Sequence, residues 1–132
     1  MPSRFLLISV AAIAALAAAS SQAQPKPPPK PPAQCFLSRD WSSWRPSADS
    51  KALYLRVGVS QVFRLDLAYA CPTLQQPNAR LITKLRGGDW ICHPLDVDLQ
   101  VSDGVVPEPC IVKGLSRLTR EEIAALPKGA RP

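Results

Sequence analysis

The chain has 132 residues, with 16 Lys and Arg against 10 Asp and Glu and a formal net charge of +6. Its length allows one domain of ordinary size and excludes two. A single His and four Cys leave little material for catalysis, so organisation along the chain carries most of the information.

Residues 1–4 give a short basic start, and residues 5–19 form an Ala-rich apolar run containing Leu6, Leu7, Ile8, Val10, Ile13 and Leu16. Ser21, Gln22 and Ala23 then place small residues where a signal peptidase reads them. Charged start, apolar middle and small-x-small exit predict a secretory signal peptide over residues 1–23, cleaved after Ala23. The apolar run is shorter than the roughly 20 residues that span a bilayer, so a retained anchor is disfavoured. No second long apolar stretch follows, and the mature chain is expected to be soluble in the periplasm or outside the cell. Removing the leader leaves fifteen basic residues against ten acidic ones.

Residues 24–34 read Gln-Pro-Lys-Pro-Pro-Pro-Lys-Pro-Pro-Ala-Gln, a proline-rich run that holds Lys26 and Lys30. Proline fixes φ and removes backbone donors, which predicts a polyproline II spacer rather than a helix or sheet ladder. Residues 35–127 form the expected domain and residues 128–132 a tail. A domain this small buries a modest share of its surface and often needs covalent help. Cys35, Cys71, Cys92 and Cys110 all lie beyond the leader, and an even count in an exported domain predicts two disulfides. A zinc site needs close ligand pairs, which these spacings lack. Three pairings are open to the sequence. Cys35–Cys110 with Cys71–Cys92 is preferred, because it would tie the domain entry to its last strand.

Trp41 and Trp44 stand three apart, which suits a helical turn or a loop covering the core. Leu53, Leu55 and Val57 then alternate with Tyr54 and Arg56, and Phe63, Leu65 and Leu67 alternate with Val62, Arg64 and Asp66. Alternation of this kind predicts two half-buried strands. Pairing Val57 with Gln61 sets Leu55 against Phe63 and Leu53 against Leu65. A two-residue loop would shift the register by one and set apolar against polar. Tyr54 and Arg64 would face each other on the outer side.

Gly87-Gly88 predicts a second hairpin, with Leu85 opposite Trp90 and Thr83 opposite Cys92. Asp103-Gly104 predicts a third, with Val101 opposite Val106 and Val97 opposite Cys110. Pro107 and Pro109 mark its return as an edge strand. Thr119 and Glu122 form a capping box, Leu118 and Ile123 a hydrophobic staple, and Pro127 a stop. The resulting short helix is expected to close one end of the β core through Ile123 and Leu126. The fold class is therefore mostly β: a small antiparallel sandwich or partly open barrel of about six strands with a short C-terminal helix.

The signal peptide, Cys35-Phe36, Trp44-Arg45, Leu55-Arg56-Val57-Gly58, Phe63-Arg64-Leu65-Asp66, Cys71-Pro72, Cys92 and Arg117-Leu118-Thr119-x-x-Glu122 appear in that order. Together they resemble a bacterial family of small exported proteins known only as a domain of unknown function. The resemblance supports export and disulfide bonding and implies no activity, though the Pro/Lys arm is longer here than the group leads one to expect.

Two clusters carry possible chemistry. His93 lies near Asp96 and Asp98, which would share a face on a strand and could serve a small hydrolase or a metal-dependent enzyme. That reading lacks a held nucleophile and the six or more oxygens a Ca²⁺ site needs. Arg39, Arg45, Arg56 and Arg64 are interleaved with Trp41, Trp44 and Tyr54, a pattern that suits an anionic ligand. Export makes nucleic acid a poor partner and favours anionic envelope material or a protein. The preferred function is a non-catalytic binding or structural module, with no cofactor and no metal.

Overall fold

The computed structural model describes residues 34–132. The expected leader, and the spacer apart from Gln34, lie outside the described residues. Nine strands run in the order β1 (Phe36–Leu37), β2 (Trp41–Pro46), β3 (Ala52–Val57), β4 (Gln61–Leu67), β5 (Arg80–Leu85), β6 (Trp90–Ile91), β7 (Val97–Ser102), β8 (Glu108–Pro109) and β9 (Val112–Arg117). One α-helix, α1 (Arg120–Ala125), follows. Six of the strands have six or seven residues and the other three have two. The chain is mostly β and antiparallel, with one short C-terminal helix, as the alternation predicts.

The strands form a four-stranded sheet of order β2-β3-β4-β9, a three-stranded sheet of order β5-β7-β8, and the small β1-β6 pair. Leu53, Leu55 and Val57 of β3 share one core with Phe63, Leu65 and Leu67 of β4 and with Val97, Leu99 and Val101 of β7. The inner faces of the two larger sheets thus pack on each other, as in a sandwich. Phe36 of β1 seals the core against Phe63, with ring centroids 4.6 Å apart.

The β3–β4 hairpin has the predicted register: Val57 opposite Gln61, Leu55 opposite Phe63 and Leu53 opposite Leu65. Gly58, at φ +60°, makes the turn. The second hairpin is corrected. Gly87 and Gly88 do adopt positive φ, but β5 pairs with β7, placing Leu85 opposite Val97 and Thr83 opposite Leu99. β6 pairs instead with β1, Trp90 opposite Leu37 and Ile91 opposite Phe36. The third hairpin has a longer loop than expected, because Val101 faces Glu108 and Gln100 faces Pro109. Its returning strand is an edge, as the paired prolines require.

All four cysteines are bonded, and the preferred pairing is also corrected: the bridges are Cys35–Cys92 and Cys71–Cys110. The β1–β6 pairing explains the first, because it brings the entry of the domain alongside the residues just before Cys92. Cys71 and Cys110 are both buried in the main core.

Thr119 and Glu122 cap α1 as read: the Glu122 N–H donates to Thr119 Oγ1 and the Thr119 N–H to Glu122 Oε2. The helix does not close an end of the main core. Leu118, Ile123 and Leu126 pack with Tyr54, Val62 and Ala130 in a second cluster, on the outer face of β3 and β4. Residues 128–132 are not a free tail either. Ala130 is buried there, and Arg131 donates to the carbonyls of Ala124 and Leu126.

Candidate functional site

The site is built around β2, an edge strand of the four-stranded sheet. Trp41 lies opposite Val57 and Trp44 opposite Leu55, with the register shifted between Trp41 and Ser43. In a regular strand residues three apart face opposite ways. The bulge at Ser42 adds one residue and turns both rings to the inner face. Neither a helical turn nor a loop holds them; both tryptophans are half-buried against the core. Arg45, opposite Tyr54, and Ser43, opposite Arg56, face outward.

Three depressions follow this strand. An open groove of about 690 Å³ is lined by Trp44, Arg45 and Pro46, by residues 74–77, and by Lys128 and Arg131 of the C-terminal segment. A second, of about 660 Å³, is lined by Ser42, Ser43, Trp44, Arg45, Arg56 and Pro132. A third, of about 310 Å³, opens between β2 and β5, where Trp41 and Trp44 meet Leu81 and Thr83. Among the described residues, no Asp or Glu side chain lines any of the three.

The wall of the first groove is held firmly. The Gln75 side chain donates to the Ser47 carbonyl at 2.7 Å and to Ser50 Oγ at 3.2 Å. The Cys71 N–H donates to the Ser50 carbonyl, and Thr73 Oγ1 donates to Glu108 Oε2 at 2.6 Å. With the Cys71–Cys110 bridge, these bonds fix the turn Pro72–Gln75 against the β2–β3 connection.

The sequence-predicted contact residues divide into groups. Trp41, Trp44, Arg45 and Arg56 come together along β2. The Arg56 guanidinium donates to the Pro132 carbonyl, which anchors the C-terminal segment beside the groove. Arg39 is exposed in the turn Ser38–Asp40 and lines none of the depressions. Tyr54 is buried beneath the C-terminal segment and presents no contact surface. Arg64 lies over its ring at 6.0 Å and pairs with Asp66 at 2.7 Å. Partial burial opposes the Arg64 charge, but the hydrogen bond and attraction of Asp66 outweigh it and raise its pKa. Sequence reading missed Lys128 and Arg131, whose signal was two cations within a segment taken for a tail.

The His93, Asp96 and Asp98 cluster is not assembled as a site. Asp96 Oδ2 accepts from the backbone N–H groups of Cys92 and His93, both at 2.8 Å. These two bonds, the Cys92 one first, hold its carboxyl below the ordinary 3.8. Asp98 is on β7, opposite Lys84, and pairs with Arg86 at 3.4 Å. The two carboxylates are drawn to different partners. Among the described residues, no three His, Cys, Asp or Glu side chains gather as a metal ion would need.

The fold and these grooves define a small disulfide-bonded antiparallel β protein with a basic, tryptophan-walled edge. The chain belongs to a family described as "Family of unknown function (DUF6491)", whose model matches residues 2–132. No curated protein and no solved structure matches it.

Proposed function

We propose that this protein is an exported, non-catalytic binding module that takes an anionic partner along the basic groove beside β2. The observation that carries this reading is the lining of the first groove. Arg45, Lys128 and Arg131 contribute three cations, with no acidic side chain among the described lining residues. Like charges gathered on a fixed wall raise the local concentration of oppositely charged ligands. Arg131 is already engaged with helix carbonyls, whereas Arg45 and Lys128 form no side-chain hydrogen bond or ion pair among the described residues. Those two are assigned to the ligand. Two disulfides and the leader read from residues 1–23 support an extracytoplasmic setting, either periplasmic or secreted, where anionic envelope material or an acidic protein is at hand.

Heparin serves as a generic polyanion for the test. The oxidised protein is expected to bind it at low salt and to release it as salt screens the groove, since the screening length is about 8–10 Å near physiological ionic strength. The pair Arg45→Glu and Lys128→Glu is expected to weaken binding at least ten-fold. A control pair with the same charge change, Lys51→Glu and Lys113→Glu, is expected to lose much less. Equal losses from the two pairs would assign the attraction to net charge and overturn the groove. Export itself is checked by N-terminal sequencing of the protein from its native cell, with Gln24 expected as the first residue.

A further inference from the structure

The grooves follow a strand whose outer edge is unpaired among the described residues, and the ladder indicates which of its backbone groups are free of them. The Ser47 N–H donates to the Ala52 carbonyl at 2.8 Å, and the register continues through Pro46–Leu53, Arg45–Tyr54 and Trp44–Leu55. Antiparallel pairs alternate between hydrogen-bonded and non-hydrogen-bonded. Arg45 therefore bonds to β3, while the N–H and C=O of Trp44 and the C=O of Pro46 point away from the sheet. The same alternation applies to β5: the Arg86 N–H donates to the Asp96 carbonyl, so Leu81 and Thr83 turn their backbone groups away from β7. The 310 Å³ cleft between β2 and β5 thus lies between two edges that no strand of the described residues pairs.

We infer that an extended acidic peptide segment of a partner protein adds to the edge of β2 as a further strand. This rests on the anionic-partner reading above, because Arg45 belongs to both, and it deepens that reading by naming the partner. Strand addition draws affinity from main-chain hydrogen bonds and specificity from alternate side chains. The two sides of β2 set that alternation. Residues turned inward would meet Trp41, Trp44, Leu81 and Thr83, where no charged side chain among the described residues lines the cleft. Residues turned outward would meet Arg45, beside Arg56, whose guanidinium already donates to the Pro132 carbonyl. The fitting segment is short and alternates apolar with acidic residues. Pro46, which has no N–H, and the bulge at Ser42 bound the free stretch and protect it from open-ended self-pairing.

The test uses the oxidised protein with a seven-residue peptide that alternates Glu and Leu. A peptide of the same composition, with its Glu and Leu residues segregated, is expected to bind at least ten-fold more weakly by tryptophan fluorescence. N-methylation at successive central residues of the alternating peptide is expected to abolish and spare binding in turn, because only alternate N–H groups face β2. The Trp44 amide is expected to exchange more slowly with peptide bound. Equal affinity of alternating and segregated peptides overturns strand addition, as does N-methylation that costs nothing at either position. Tighter binding of an acidic oligosaccharide of equal charge also overturns it and assigns the groove to a glycan. These outcomes leave the anionic reading standing. That reading fails separately, if charge reversal at Arg45 and Lys128 costs no more than its control.

Discussion

Gly114 on β9 shows how one missing methyl can hold a charge pair in place. It lies opposite Asp66, and a Cβ at this position would sit 3.1 Å from Asp66 Oδ2 and 3.2 Å from Asp66 Cβ. Asp66 uses that space to reach Arg64, which lies over Tyr54. Gly114→Ala is expected to cost about 1–3 kcal/mol by overpacking. In a urea-denaturation double-mutant cycle, Asp66→Ala is expected to relieve the carboxylate's share of that cost, while its retained Cβ keeps the rest. Additive losses would place the strain elsewhere. Asp96 offers a pH-dependent test. Its carboxyl is held ionised in the fold by the Cys92 and His93 N–H groups, so its folded pKa lies below 3.8. A depressed folded pKa contributes stability above the unfolded value, lost as pH falls through the folded one. The stability difference between the natural chain and Asp96→Asn is therefore expected to be constant from pH 7 to about 5 and to shrink below about pH 4. A difference that grows on acidification would contradict the hydrogen bonding described.

Elements differ in how plainly their residues announce them. The β3–β4 hairpin and the α1 cap were legible because each is fixed by neighbours in the chain. Alternating Leu and Phe set the register, and Thr119 needs only Glu122. Thr119→Ala is expected to cost about 1 kcal/mol in chemical denaturation, with Thr119→Ser retaining most of the stability. What α1 covers was not legible, because Leu118, Ile123 and Leu126 are equally suited to an end or a face of the sheet. The second hairpin misled for a physical reason. Gly87-Gly88 permits a tight turn, but partner choice belongs to the apolar faces, and Leu81, Thr83 and Leu85 alternate as well against Val97, Leu99 and Val101 as against any closer run. The role of Trp41 and Trp44 was partly legible. They do pack on the core, but a bulge does the work assigned to a helical turn. Of the candidate site, Arg45 and Arg56 could be found by type and neighbourhood. Lys128 could not, because its contribution depends on the C-terminal segment folding back beside β2.

At the scale of the whole molecule, covalent bonds carry an unusual share of the stability. The bridges span sequence separations of 57 and 39 residues. Restricting loops of that length in the unfolded chain contributes about 4 kcal/mol each, set against a typical margin of about 5–15 kcal/mol. The bridges also differ in exposure. Cys71 and Cys110 are 3% and 1% exposed, while Cys35 and Cys92 are half-buried. Mild reduction of the folded protein followed by alkylation is therefore expected to label Cys35 and Cys92 first, read by peptide mass spectrometry. Earlier labelling of Cys71 and Cys110 would contradict the packing.

Neither bond joins cysteines that follow one another along the chain, and each loop encloses one end of the other bond. If the chain is exported as proposed, threading amino terminus first into an oxidising space delivers Cys35 and Cys71 while Cys92 is still in transit. An oxidase that couples thiols in order of arrival makes a bond foreign to the native protein. Escape requires attack by a remaining thiolate on the wrong pair, a reshuffling that takes seconds to hours depending on catalyst. Maturation by this route calls for an isomerase, and a cell deprived of one is expected to accumulate a Cys35–Cys71 species.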